Sequence, residues 1–161
     1  MKQSETTMIH RFNRITDEIT ALYHRASRKL GFSDSEMIIL YMLCDYARGL
    51  TQSDIINATG MSKQTINSAI SRMAQNGWIM LGERTNHRKE IRFTQKGETI
   101  SREVIQPFIA AEDRLFEGWT EPEKEQFLAL NQRYRDALST MVEQLPEHQI
   151  GIEPWEGGEK N

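Results

Sequence analysis

The stretch LTQSDIINATGMSKQTINSAISRMAQNGWIMLGERTNHRKEIRFT, from Leu50 to Thr94, decides the fold. Thr51, with Asp54 three residues on, forms a capping pair for a helix running to about Thr59, and Gly60 supplies the left-handed residue that ends it. Ser62 caps a second helix from Lys63 to about Asn76, closed by Gly77, with Met61 tucked inward at the turn. Within this helix Ile66, Ala69, Ile70 and Met73 follow the i, i+3, i+4, i+7 spacing of one buried stripe. The opposite face carries Lys63, Gln64, Thr65, Asn67, Ser68, Ser71 and Arg72, a set short in acid and rich in hydrogen-bonding groups.

Trp78 to Glu83 is apolar enough for a strand. Arg84, Thr85, Asn86, His87 and Arg88 read as a polar turn, and Lys89 to Phe93 alternates as a returning strand through Ile91 and Phe93. Two short helices followed by a basic hairpin are the plan of a winged helix-turn-helix. The buried face of the second helix sets its pose while its outer face enters a groove. A hairpin tip bearing Arg84, His87 and Arg88 suits a narrow minor groove or the flanking phosphates.

Charge is distributed unevenly. Between Thr51 and Gly97 seven basic residues (Lys63, Arg72, Arg84, Arg88, Lys89, Arg92 and Lys96) face three acids (Asp54, Glu83 and Glu90), a net of +4, whereas the chain as a whole carries −3. An acidic protein with one basic lobe binds a polyanion through that lobe.

Outside this module the pattern is helical. Met8, Phe12, Ile15, Ile19, Leu22 and Ala26, widened by Ile9, Tyr23 and Leu30, mark a long amphipathic helix that ends near Gly31. Ser33 and Glu36 form a capping box for a helix carrying Met37, Ile38, Leu40, Tyr41, Leu43 and Cys44. Thr94 caps a long helix through Ile100, Val104, Ile105, Phe108 and Ile109, in which Pro107 predicts a bend or a break. Thr120 and Glu123 restart a last helix bearing Phe127, Leu128, Leu130, Tyr134, Leu138, Met141, Val142 and Leu145, and Pro146 stops it.

The fold class is therefore mainly α with a small β-hairpin wing. Residues 1–32 form an N-terminal dimerisation helix, 33–94 the winged module, 95–146 the C-terminal dimerisation helices and 147–161 a tail. The outer helices carry more apolar surface than a small module covers. A homodimer answers this, and it sets two recognition helices roughly 34 Å apart, for adjacent major grooves.

With 161 residues and a single cysteine, Cys44, the chain has no disulfide framework, and a reducing cytoplasm is the expected compartment. Cys44 lies in an apolar run, which reads as a buried structural thiol; a redox sensor built on it is the competing reading. No run is long and apolar enough for a membrane span, and no signal peptide opens the chain. His10, His24, His87 and His148 are too scattered for a metal site, and no nucleophile or phosphate-loop motif is present, so neither a cofactor nor an enzyme is expected.

The order of elements, from about Met8 to Leu145, resembles the MarR family of bacterial transcriptional regulators. The resemblance rests on Leu50 to Ile55, on Gly60 to Ile66, on Met73, Asn76, Gly77 and Trp78, and on Arg88, Phe93, Thr94, Lys96 and Gly97. It implies a homodimer on a pseudo-palindromic operator, usually a repressor, released by a small anionic or aromatic effector or, in some branches, by thiol oxidation. Where the family carries an acid followed by arginines at the wing tip, this chain has Asn86, His87 and Arg88, and the following strand reads about one residue short.

The expected partner is double-stranded DNA, contacted by Ser62, Lys63, Gln64, Thr65, Asn67, Ser68 and Arg72 on the helix and by Arg84, His87 and Arg88 on the wing. Gln64, Asn67 and Ser68 are assigned to base edges, Lys63, Arg72 and Arg84 to phosphate, and Arg88 to the minor groove. The resemblance also implies an effector pocket between the dimer helices and the module, for which His24, Arg25, Arg28, Met37 and Tyr41 are the candidates. The alternative class is a winged protein-interaction module, which would lack the steep salt dependence of DNA binding.

Overall fold

The computed structural model describes residues 7–45, 49–85 and 88–146. The chain divides into two compact units, the first ending at Leu115 and the second beginning at Phe116.

In the first unit, α1 (Met8–Leu30) is capped by Thr7 and ends at Gly31, as expected, with a left-handed φ of 87°. Then comes α2 (Asp34–Asp45), opened by the Ser33 and Glu36 capping box. A two-residue strand β1 (Leu50–Thr51) leads into α3 (Gln52–Thr59), and α4 (Lys63–Gln75) follows. The Thr51 and Asp54 box, the Ser62 cap and the left-handed Gly60 all form as the sequence predicts. The core joins these elements: Ile39 and Leu40 of α2, Leu50, Ile55 of α3, and Ile66 and Met73 of α4 are essentially inaccessible to solvent. Each such side chain contributes about 1.5–3 kcal/mol, so this cluster fixes how α4 is presented.

The sheet differs from the simple hairpin read from sequence. Strands β2 (Ile79–Thr85) and β3 (Arg88–Phe93) pair antiparallel, and β1 adds a third strand on the far side of β3, with Leu50 opposite Ile91 and Thr51 opposite Glu90. Two residues are too few to show alternation, which is why β1 escapes the pattern. The strands also reach further than expected: Arg84 and Thr85 belong to β2 and Arg88 to β3. Between the pairs Leu81–Ile91 and Arg84–Lys89 the register shifts, leaving Gly82 and Glu83 opposite Glu90 alone. This is a β-bulge, which bends the wing and sharpens its twist.

Beyond the wing, α5 (Gln95–Ile100), capped by Thr94, runs into a π-helical turn at Ser101–Ile105 and on into α6 (Gln106–Asp113). The irregularity expected at Pro107 is thus a wide turn just ahead of it. The Gln106 N–H reaches back to the Ser101 carbonyl, and Pro107 occupies the first turn of α6, where its missing donor costs least. Ile105 is fully buried in the same core.

The second unit contains α7 (Glu121–Glu143), begun by the Thr120 and Glu123 capping box. Phe116, Trp119 and Phe127 stack on one another with ring centroids 5.2–6.1 Å apart. Leu128, Leu130, Leu138, Met141 and Val142 stay exposed along α7, as do Met8, Ile15, Ile19 and Leu22 along α1. Among the described residues no helix is long and apolar enough to cross a membrane. The expected tail, residues 147–161, lies outside the described residues.

Candidate nucleic-acid interface

Helix α4 has the two faces expected of it. Ile66, Ala69, Ile70 and Met73 are buried, and Lys63, Gln64, Thr65, Asn67, Ser68, Ser71 and Arg72 are exposed. Its first turn contains no acid, and its Ser62 cap accepts from the Thr65 N–H at 3.1 Å while sharing a 2.8 Å hydroxyl contact with Thr65. The positive end of the helix dipole therefore emerges beside the Lys63 ammonium.

Two of the candidate contacts are held by the protein itself. The Arg72 Nε donates to Glu36 Oε1 at 3.2 Å, and a second guanidinium nitrogen approaches Ser33 Oγ at 3.4 Å. Arg72 thus ties α4 to the start of α2, a role that competes with the phosphate contact assigned from sequence. Asn67 Oδ1 accepts from Gln52 Nε2 at 2.5 Å, which joins α4 to the first residue of α3. Gln52 was missed as a site residue because its partner lies fifteen positions away, beyond any local spacing rule. Asn67 keeps its amide donors for a further partner, whereas Lys63, Gln64 and Ser68 stand exposed.

Glu36 is almost wholly buried. Burial opposes its ionisation, but the Ser33 amide and hydroxyl and the Arg72 guanidinium outweigh that cost and hold its carboxyl below the ordinary range.

On the wing, Arg84 lies opposite Lys89, and Thr85 opposite Arg88. His87 lies outside the described residues, as do the side chains of Arg84 and Arg88. Lys89 is exposed, and Arg92 is paired with Glu90 at 2.5 Å. Lys96, at the start of α5, donates to the Asn76 carbonyl at 2.9 Å and so anchors the wing's exit to the end of α4.

A cavity of about 490 Å³ lies between α1, α2, α6 and the α3–α4 turn. Of the effector candidates, His24, Met37 and Tyr41 line it, and the exposed Arg25 and Arg28 do not. Tyr23, Asp34 and Glu112 line it as well. Sequence reading missed these three because they come from separate helices that no local spacing relates.

Cys44 is half-buried, with its Sγ 3.2 Å from Ser101 Oγ in the π-helical turn. Burial pushes its thiol up, against a smaller opposing pull from that hydroxyl.

The MarR family model matches residues 30–90. No curated protein sequence matches the chain. Among solved structures, the MepR–DNA complex of S. aureus aligns with a TM-score of 0.69 at 22% identity, covering 84% of this chain and 99% of that one. A MarR/EmrR family transcriptional regulator from Acinetobacter sp. ADP1 aligns at 0.67 and 19% identity, covering 81% and 93%. A putative MarR family regulator from Listeria monocytogenes, complexed with 26mer DNA, aligns at 0.66 and 16%, covering 83% and 90%. These likenesses show a shared winged-helix fold over most of the chain, and the stretch from the end of α1 into β3 is similar to the MarR family.

Proposed function

We propose that the chain is a DNA-binding transcriptional regulator, a cytoplasmic homodimer that represses from a pseudo-palindromic operator and is released by a small-molecule effector. The observation that carries this reading is α4. Its apolar face is locked into the core, and it offers an outer face free of acid, headed by an unopposed helix N-terminus and Lys63. Lys63 meets phosphate, Gln64, Asn67 and Ser68 read base edges, and Ser62 and Thr65 order the helix end near the backbone. Arg84, His87 and Arg88 supply the wing contacts.

The homodimer is supported by the apolar stripes on α1 and α7, which are too extensive to leave facing water. Sedimentation at micromolar concentration should give twice the 18.7 kDa chain mass, and a predominant 18.7 kDa species would overturn the dimer. DNA binding is tested by titrating fluorescent duplex at several salt concentrations. Affinity should fall steeply as salt rises; duplex binding that is absent, or indifferent to salt, would favour a protein-interaction module instead.

A further inference from the structure

The cavity between α1, α2 and α6 has a chemistry that selects its occupant. Met37, Ile38, Met42, Met61 and Phe108 make most of its wall apolar and polarisable. Two carboxylates also line it, Asp34 and Glu112, and no lysine or arginine does so among the described residues. Asp34 holds His24 Nδ1 at 2.6 Å through Oδ2, but its Oδ1 is buried without a hydrogen-bond partner, and so is Glu112 Oε2. A buried acceptor without a partner is costly, and a carboxylate oxygen more so, unless something positive completes it.

The aromatic groups point the same way. Tyr23 and Tyr41 flank Glu112. A hydrogen bond to that carboxylate, then burial, pushes the Tyr23 hydroxyl up to about 12, and burial, then the charge of Glu112 and a hydrogen bond to it, does the same for Tyr41, so Glu112 has neutral donors but, among the described residues, no cation beside it. Both tyrosines line the cavity as neutral, electron-rich rings beside a carboxylate, a combination that attracts a cation.

We propose that this cavity binds a hydrophobic organic cation, its charge set against Glu112 and Asp34 and its apolar body against the methionines and tyrosine rings. The proposal rests on the regulatory reading above and gives that reading's effector a chemical class, opposite in sign to the anionic one among the anionic or aromatic effectors that the resemblance implies. Met61 supplies the route to DNA. It lines the cavity and directly precedes Ser62, the cap of α4, so an occupant bears on the end of the helix that faces the groove. The occupant weakens DNA binding only by as much as it prefers the displaced arrangement.

Tetraphenylphosphonium and tetraphenylborate have nearly the same shape and opposite charge, which makes them the discriminating probes. Calorimetric titration of the full chain without DNA should show the phosphonium binding at least tenfold more tightly than the borate. Glu112→Gln should reduce phosphonium affinity about tenfold with little effect on the borate. Ile38→Trp, which fills the cavity, should abolish phosphonium binding, and it serves as the test if the first variant does not fold. Equal or tighter borate binding, no phosphonium binding, or phosphonium affinity unchanged in a folded variant would each overturn the proposal. Duplex affinity of the ligand-free protein, measured separately, tests the regulatory reading itself, so the two failures are distinguishable.

Discussion

Arg72 Nε donates to Glu36 Oε1 across 3.2 Å, so the outer face of α4 is tied to the first turn of α2. Arg72 is half exposed, while Glu36 is nearly buried and also accepts from the Ser33 amide at 2.9 Å. The pair is therefore a brace with one end in the core.

Removing the exposed end should cost stability before it costs recognition. Arg72→Ala leaves a buried carboxylate without its cation, a loss of about 1–3 kcal/mol, readable as a lower urea midpoint. If bracing is its main role, the salt dependence of DNA binding should stay nearly as steep as in the parent. A loss of about one contact's worth of slope with an unchanged midpoint would restore Arg72 to the phosphate set.

The same pair sets an acid limit. Because the folded-state pKa of Glu36 is depressed, its contribution to stability is present above the unfolded-state pKa and is lost as pH falls through the folded one. Stability should drop below the ordinary carboxylate value of 4.5. Glu36→Gln should flatten that drop, which urea melts at several pH values from neutral downward would measure.

Lys63 and Gln64 should separate cleanly. Lys63→Ala is expected to weaken matched and scrambled duplexes alike and to reduce the salt slope by about one. Gln64→Ala should lose mainly the preferred sequence, by about 1–3 kcal/mol. Dissociation constants for both duplexes at two salt concentrations check this, and a Lys63 variant that loses only sequence preference would reverse the assignment.

Much of this was readable in the chain because it is local. Caps at Thr51, Ser62, Thr94 and Thr120, the left-handed Gly60 and the buried stripe of α4 all depend on residues within one or two turns. What escaped was long-range. The Leu50–Ile91 pair that makes β1 a strand, the Gln52–Asn67 bond and the meeting of Tyr23, Asp34 and Glu112 join residues that no periodicity relates. The Arg72 guanidinium was read as solvent-facing because a helical wheel shows which way a side chain leaves its own helix and nothing of what waits there.

Gly97 is required by packing. A Cβ at this position would sit 1.9 Å from the Trp78 carbonyl oxygen and 2.8 Å from the Phe93 ring. The backbone of α5 thus lies directly on the entry to β2, and a carbonyl there has nowhere to go. Gly97→Ala should cost more than about 3 kcal/mol, detectable in thermal or urea melts; a cost below 1 kcal/mol would contradict this packing.

Cys44 should not act as a redox switch. Its thiol is half-buried, held by Ser101 and pushed away from ionisation by burial, so little thiolate exists at neutral pH. Cys44→Ser should bind duplex nearly as tightly as the parent, and mild peroxide should leave both bound. Release of the parent alone, reversed by a thiol reductant, would make this a redox sensor.

The central claim is that α4 reads DNA in two symmetric copies, and selection of bound sequences from random duplex DNA tests it most directly. The expected result is an enriched inverted repeat whose half-site centres lie about one helical turn, or a multiple of it, apart. Recovery of duplexes without any enriched sequence, or of none at all, would contradict it.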